Sequence, residues 1–357
     1  MPIDRRTFLV SSGVAAFGAL MPSFSTFASA AQIEDSFEWK TSDLVFHFEV
    51  SAGRLRQQRF VPANVPELPI SSSSGVEVAL QCNGENSPDP GMKSATGEPG
   101  ARLQFAGKRE ETMPGGKRLI CTHSDPVLQL SVESVYEAFD GVPVVRRYSR
   151  IRNNGSSPVG IDFLSSAMLH GLADPRNYDH ELRIHVAGNR GMAEGQWHTL
   201  RPSEMGFVEN ERTSWSEAHA GSIGSWSTER FLPMAMAENT SLGLISFWQI
   251  EHNGSWYWEI SNVSARSNYA DDVYAYLGGP DDLHSAAWKN LKPGETYQTV
   301  PVAIGCVRGG FSEAIVALTQ YRRSACVKPR GDNSKCPVIF NDFMNCLWAN
   351  PTEAKEL

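Results

Sequence analysis

The chain has 357 residues, 41% of them hydrophobic and 20% charged, and a formal net charge of −8. That length allows one large β domain or two ordinary ones, and the composition is that of a globular protein rather than a disordered or membrane-embedded one. The acidic balance argues against a nucleic-acid partner and is compatible with neutral ligands such as sugars.

Residues 1–30 read as a targeting segment. Arg5-Arg6 is followed by Thr7-Phe8-Leu9, a mildly apolar stretch over residues 10–27, and Ala28-Ser29-Ala30, a small-x-small cleavage pattern. The arrangement resembles a twin-arginine export signal, with Asp4 where Ser or Thr is usual. It implies a periplasmic or secreted protein. An ordinary secretory signal or a short membrane anchor is the alternative. Because residues 1–30 carry Asp4, Arg5 and Arg6, their removal would take the net charge from −8 to −9. No later segment has the roughly 20 apolar residues that a membrane span needs, so no membrane association is expected after cleavage.

Six cysteines, at 82, 121, 306, 326, 336 and 346, form no C-x-x-C pair and have no His at ligand spacing apart from His123 beside Cys121. No metal and no cofactor is expected. A twin-arginine route carries proteins already folded in a reducing compartment, so most cysteines are read as small buried apolar residues. Later pairing of Cys326 with Cys336 stays open.

From residue 36 to about 307 the pattern is strand after strand. Residues 44–50, 76–81, 127–132 and 144–152 alternate in character, and Asp140-Gly141 and the run Asn153-Asn154-Gly155-Ser156-Ser157-Pro158 are turn signals. Short alternating runs with turns between them predict a mainly β fold, a large antiparallel sandwich. Residues 84–116, rich in Gly, Pro and charge, are expected as a long surface excursion. Helical spacing occurs over residues 311–323, with Phe311, Ile315, Leu318 and Tyr321 on one face after Gly309-Gly310. These features divide the chain into residues 1–30 (signal), 31–310 (sandwich), 311–336 (linker helix and connector) and 337–357.

Aromatic residues crowd positions 215–258: Trp215, Trp226, Phe231, Phe247, Trp248, Trp256, Tyr257 and Trp258. An aromatic face suits the C–H face of a sugar, but neighbouring rings on a strand point to opposite sides, so at least half of these are expected in the core. Adjacent carboxylates occur at Glu110-Glu111, Asp271-Asp272 and Asp281-Asp282. The last two pairs flank Gly278-Gly279-Pro280 and are read as solvated turn residues. His180 and His185 are read as residues of a strand whose alternate positions face solvent, rather than as metal ligands. No Gly-x-Ser-x-Gly elbow, phosphate-binding glycine loop or His-Glu-x-x-His zinc helix is present.

The last stretch is the most informative. Residues 338–340 form a continuous apolar run suited to a strand covered on both faces, followed by Asn341-Asp342-Phe343-Met344-Asn345 where such a strand would end. Asn350, Pro351 and Glu353 have the spacing of a helix start. The strand and its covering helix find no partners further along the chain, which reads as an incomplete barrel. With the Pro-Thr-Glu-x-Lys that follows, this run resembles the first βα unit of the catalytic (β/α)8 barrel of glycoside hydrolase family 36, the bacterial α-galactosidases. Gly254-Ser255-Trp256-Tyr257-Trp258-Glu259, the segment Leu291-Lys292-Pro293-Gly294-Glu295-Thr296-Tyr297-Gln298-Thr299-Val300-Pro301 and the helix up to Tyr321-Arg322 are similar to the end of that family's N-terminal sandwich and its link to the barrel.

The resemblance implies hydrolysis of terminal α-galactosides with retention of configuration, through a covalent galactosyl-enzyme and without metal. It implies α-galactoside oligosaccharides of the raffinose type as partners, and a homo-oligomer in the full-length enzyme. Asn341, Asp342 and Asn345 would bind sugar hydroxyls and Trp348 would stack on the ring; a polar loop leading to a capped helix is the plainer reading of the same residues. The nucleophile and the acid of that family come from later barrel strands, and neither the Lys-x-Asp strand motif nor the Gly-rich segment that carries them is found here. No catalytic residue is therefore assigned. Two readings stand: an exported α-galactosidase-type enzyme represented by its N-terminal portion and inactive alone, or a non-catalytic carbohydrate-binding or structural β-sandwich.

Overall fold

In the computed structural model, residues 35–65, 75–87, 93–208, 216–264 and 270–324 are described. The segments expected as signal, connector and barrel start, residues 1–30 and 325–357, with Cys326, Cys336 and Cys346, lie outside them. The strands are β1 (Asp35–Lys40), β2 (Leu44–Ser51), β3 (Arg54–Pro62), β4 (Gly75–Val76), β5 (Leu80–Cys82), β6 (Gln104–Met113), β7 (Gly116–Asp125), β8 (Leu130–Phe139), β9 (Val144–Asn153), β10 (Val159–Leu164) and β11 (Ala167–Leu169). They continue as β12 (Leu182–Arg190), β13 (Ala193–Leu200), β14 (Ala218–Ser222), β15 (Phe231–Asn239), β16 (Leu244–Ile250), β17 (Trp256–Ser264), β18 (Ala270–Gly278), β19 (Lys289–Leu291), β20 (Thr296–Gln298) and β21 (Val302–Arg308). Among the described residues four α-helices accompany them: α1 (Glu98–Arg102), α2 (Tyr178–Glu181), α3 (Asp282–Ser285) and α4 (Phe311–Ser324).

Among the described residues the strand pairings are antiparallel and build four sheets. The largest runs β13-β12-β15-β16-β21-β9-β8-β7-β6, with β20 also paired to β9. Against it lie a β1-β2-β3-β4 sheet, a small β19-β10-β5 sheet and a β11-β18-β17-β14 sheet. The mainly β sandwich expected from the alternating runs is what the chain forms.

Period-two alternation explains the core directly. On β2, Leu44, Phe46 and Phe48 are buried while Val45, His47 and Glu49 between them are not. Phe46 meets Phe60 at 5.1 Å and the edge of Tyr136 at 5.5 Å between ring centroids. Trp248 of the large sheet and Trp258 of the β11-β18-β17-β14 sheet meet edge to face at 5.4 Å, both fully buried. Such a pair adds about 0.5–1.5 kcal/mol beyond its area burial. The expected helix is α4, whose Ala314, Ala317, Leu318 and Tyr321 pack on Met236, Ile245 and Phe247 with Phe311 and Ile315 at the margin. Cys82, Cys121 and Cys306 are buried, and burial pushes the Cys306 thiol up to about 12.

Four local readings need correction. Residues 84–116 are not a surface excursion. They contain a 3-10 turn at Ser94–Thr96, then α1 and β6. The glycines there serve close packing: a Cβ on Gly100 would stand 2.8 Å from the Leu80 backbone nitrogen, so α1 sits directly on β5. The charges belong to an edge strand, where they block further pairing; Glu111 lies between Arg109 (3.1 Å) and Arg118 (3.2 Å). Residues 127–132 form a strand only from Leu130, because Gln129 adopts a left-handed φ of 54° in the preceding turn. Residues 76–81 are two short strands, β4 and β5, because Glu77 turns into the interior between them. Finally, Asp272 is on β18 and Asp281 caps α3; both are buried rather than solvated.

Candidate functional site at the edge of the four-stranded sheet

One face of the β11-β18-β17-β14 sheet carries polar and aromatic groups instead of aliphatic ones. Tyr257 and Glu259 are two apart on β17 and therefore share that face; the register places His219 of β14 and Tyr276 of β18 beside Glu259. Glu217, just before β14, completes the group. The Tyr257 hydroxyl lies 2.9 Å from Glu217 Oε1 and 3.4 Å from Glu259 Oε2. Glu259 Oε1 accepts from the Tyr274 hydroxyl at 2.7 Å and from the Ser94 backbone N–H at 3.2 Å. His219 Nδ1 lies 3.3 Å from Glu217 Oε1.

The two carboxyls are driven apart electrostatically. Burial raises the Glu259 carboxyl, and the charge of Glu217 raises it further. Burial also acts to raise Glu217, but hydrogen bonds from His219 and Tyr257 and the His219 and His284 charges outweigh it, so Glu217 titrates below the ordinary carboxylate range. The hydrogen bond to Glu217 in turn raises His219. A phenol has one proton to donate. Its nearer acceptor is Glu217 Oε1 at 2.9 Å, with Glu259 Oε2 at 3.4 Å, so the Tyr257 hydroxyl links the enclosed carboxyl to the accessible one. Burial and both nearby carboxylates raise the Tyr257 phenol itself.

The outer wall is His284, stacked on Tyr257 at 3.5 Å between ring centroids and 10° between planes. Asp281 orients it, accepting the His284 backbone N–H at 2.6 Å through Oδ1 and lying 2.8 Å from His284 Nδ1 through Oδ2. Glu217, His219 and His284 are partly accessible, with 27%, 54% and 21% of each side chain exposed. Glu259 is 1% exposed. The arrangement can accept and donate hydrogen bonds at its rim. It cannot place two carboxyls on either side of a glycosidic bond, since one of them is enclosed.

A second buried group contrasts with it. Glu77 Oε1 accepts from Arg147 Nη2 at 2.7 Å and from the Tyr136 hydroxyl, and Oε2 from the Ser134 hydroxyl at 2.6 Å, with His123 Nε2 2.9 Å away. Arg147 also bonds Ser149 Oγ and the Ser166 carbonyl, each at 2.7 Å. Burial opposes ionisation of Glu77, yet the Arg147 charge and the bonds from His123 and Ser134 hold its carboxyl far below the usual range.

The residues singled out for sugar contact, Asn341, Asp342, Asn345 and Trp348, lie outside the described residues, as does Trp215. Trp248, Trp256, Tyr257, Trp258 and Phe247 are all buried, so both faces of those strands are covered; Trp226 remains 59% exposed. Glu110 and Glu111 lie on β6 among basic partners. His180 is in α2, and His185 is buried, its Nε2 2.8 Å from Glu238 and its Nδ1 2.9 Å from the Thr199 hydroxyl. Solvent-facing alternation therefore does not account for His185. Sequence reasoning missed Glu217 and His219, and it quoted Glu259 only within a motif. The usable signal was spacing: Tyr257 and Glu259, like Glu217 and His219, are two apart, and Glu259 is the one carboxyl on β17, inside the run Trp256-Tyr257-Trp258-Glu259-Ile260.

Residues 58–178 match the family model described as the Glycosyl hydrolase family 36 N-terminal domain. No curated protein sequence matches the chain. Among solved structures, the α-galactosidase from Lactobacillus brevis superposes with a TM-score of 0.60 at 11% identity, covering 82% of this chain and 42% of that one. The family 36 α-galactosidase AgaA from Geobacillus stearothermophilus gives 0.58 at 13% identity, covering 77% and 41%, and a variant of it in complex with raffinose gives 0.58 at 14%, also covering 77% and 41%. The chain thus spans about two fifths of the length of the structures it matches. At these identities the likeness shows the fold. Fold and family match point the same way: residues 58–178 match the glycosyl hydrolase family 36 N-terminal domain model, and the β-sandwich has the fold of the α-galactosidase structures it superposes on.

Proposed function

We propose that the chain is the sandwich portion of an exported α-galactosidase-type glycoside hydrolase that removes terminal α-galactosyl groups with retention of configuration. The observation that carries this is the match of residues 58–178 to the family 36 N-terminal domain, within a fold that α-galactosidases share over most of the described residues. Raffinose and stachyose bound to AgaA variants support oligosaccharides of that type as the substrate class.

In this reading the sandwich supports and the barrel reacts. Retention needs two carboxyls about 5–5.5 Å apart on an open cleft, one to attack the anomeric carbon and one to protonate the leaving oxygen. Glu217 and Glu259 do not meet that need, because Glu259 is enclosed and held by Tyr274 and Ser94. The reacting carboxyls are assigned to barrel strands that this sequence does not contain. Asn341, Asp342 and Asn345 would hold sugar hydroxyls at the barrel mouth and Trp348 would stack on the ring, binding that positions a substrate without supplying a nucleophile.

The test is kinetic. The purified 357-residue protein should leave a nitrophenyl α-galactoside uncleaved, and turnover would overturn the assignment of catalysis to other strands. Reading the coding frame past Leu357 separates the alternatives: a continuous frame with a Lys-x-Asp strand supports the enzyme, and a stop codon favours a stand-alone sandwich. Export is tested separately: a reporter fused to residues 1–30 should lose export when Arg5→Lys and Arg6→Lys are introduced together.

A further inference from the structure

We infer that the outer face of the β19-β10-β5 sheet is a binding site for a neutral pyranose ring, with Trp288 as its platform. Trp39, Trp248, Trp256 and Trp258 are each no more than 2% exposed, whereas Trp288 is 61% exposed. Trp226 is comparably exposed, but its Nε1 is taken by the Thr228 hydroxyl at 2.9 Å; the Trp288 Nε1 makes no hydrogen bond among the described residues.

The sheet register sets polar groups beside the indole. Gly160 pairs with Asn290 and Ile161 with Lys289, which brings Trp288, one residue before β19, level with Asp162. Ile161 and Leu291 point into the core; Gly160 and Asp162 alternate to the other side. A Cβ on Gly160 would stand 2.9 Å from the Asn83 side chain and 3.7 Å from Trp288 Nε1, so the glycine lets Asn83 and the indole edge pack close over the strand and sit side by side. Further polar groups stand next to them. The Asn83 amide bonds Asp162, and neither Asp162 nor Asp282 of α3 is ion-paired among the described residues. Asp162 Oδ1 is enclosed without a partner there, so internal structure does not account for that carboxyl.

An aromatic face beside an amide and carboxylates that have no cationic partner among the described residues matches a ligand with an apolar C–H face and hydroxyl donors at its edge. Unneutralised acids disfavour an anion. A neutral hexopyranose combines both properties. The site needs only the sandwich's own surface and stands whether or not the chain is part of a galactosidase, so its test and the kinetic one fail independently.

The experiment titrates galactose, with glucose as comparator, into the full chain while following tryptophan indole resonances by NMR. The expected result is a selective shift of the Trp288 resonance by at least one of the two sugars, with a Kd on the order of 1–10 mM. Trp288→Ala should weaken binding about tenfold or more, Trp288→Phe less, and Asp162→Asn about threefold, while Trp226→Ala leaves it unchanged. Matching melting temperatures would show that the variants are folded. The inference is overturned if neither sugar shifts the resonance, if binding persists in Trp288→Ala, or if that substitution changes only the oligomeric state, which would make the face a protein interface.

Discussion

Glu77 and Glu259 are both enclosed carboxyls held by tyrosine hydroxyls, yet their titrations shift in opposite directions. Burial acts to raise both; the Arg147 charge overrides it at Glu77, while the Glu217 charge adds to it at Glu259. The Glu77 group bonds inward to Ser149 and Ser166, whereas the Glu259 group runs outward through Tyr257 to partly exposed Glu217 and His219. Burial alone therefore does not decide the direction. The sign of the nearest charge decides whether the effect of burial on an enclosed acid is overridden or reinforced.

Breaking the first region should have the largest effect. Arg147→Met leaves Glu77 without its cation, and urea denaturation should show a loss of about 3–5 kcal/mol; a loss under about 1 kcal/mol would mean that the ion pair is not what holds the sheets there. Next in size is the acid limb. A carboxyl whose folded pKa lies below its unfolded one contributes stability that is complete above the unfolded value, about 4.3, and is lost as pH falls below it. The unfolding midpoint should thus drop steeply below about pH 4, and the drop should be shallower in the Arg147→Met background.

For Glu259 the sign reverses. Its folded pKa is raised, so its contribution is present below the unfolded value and declines as pH rises through the folded one. Glu259→Gln, which keeps the shape and stays neutral, should change stability at pH 7 by no more than about 1 kcal/mol and flatten the pH dependence between acid and neutral. A loss comparable to that of Arg147→Met would show that Glu259 is ionised and would erase the contrast. The smallest effect is expected for His219→Ala, within about 1 kcal/mol because the imidazole is half-exposed, and it should be seen mainly as an upward shift of the Glu217 titration in carboxyl-directed NMR.

Much of the sandwich was legible because alternation reports which face is covered: residues 44–50 and 144–152 became β2 and β9 nearly as read, and α4 began at the expected Phe311. The readings that failed did so where a distant partner changed the meaning of a polar residue. Asp272 looked like a solvated turn acid until His170, about a hundred positions away, met it inside the sheet stack. Charged β6 looked like a loop because an edge strand tolerates charge.

The sequence by itself determined the mainly antiparallel β character, the helix after residue 310 and the resemblance to family 36, all of which depend on local periodicity and on runs of neighbouring residues. Only the tertiary structure decided in which direction the enclosed carboxyls shift, which tryptophans reach solvent and that Gly160, Asp162 and Trp288 share one surface, because each of these depends on charges and covering groups brought together from distant parts of the chain.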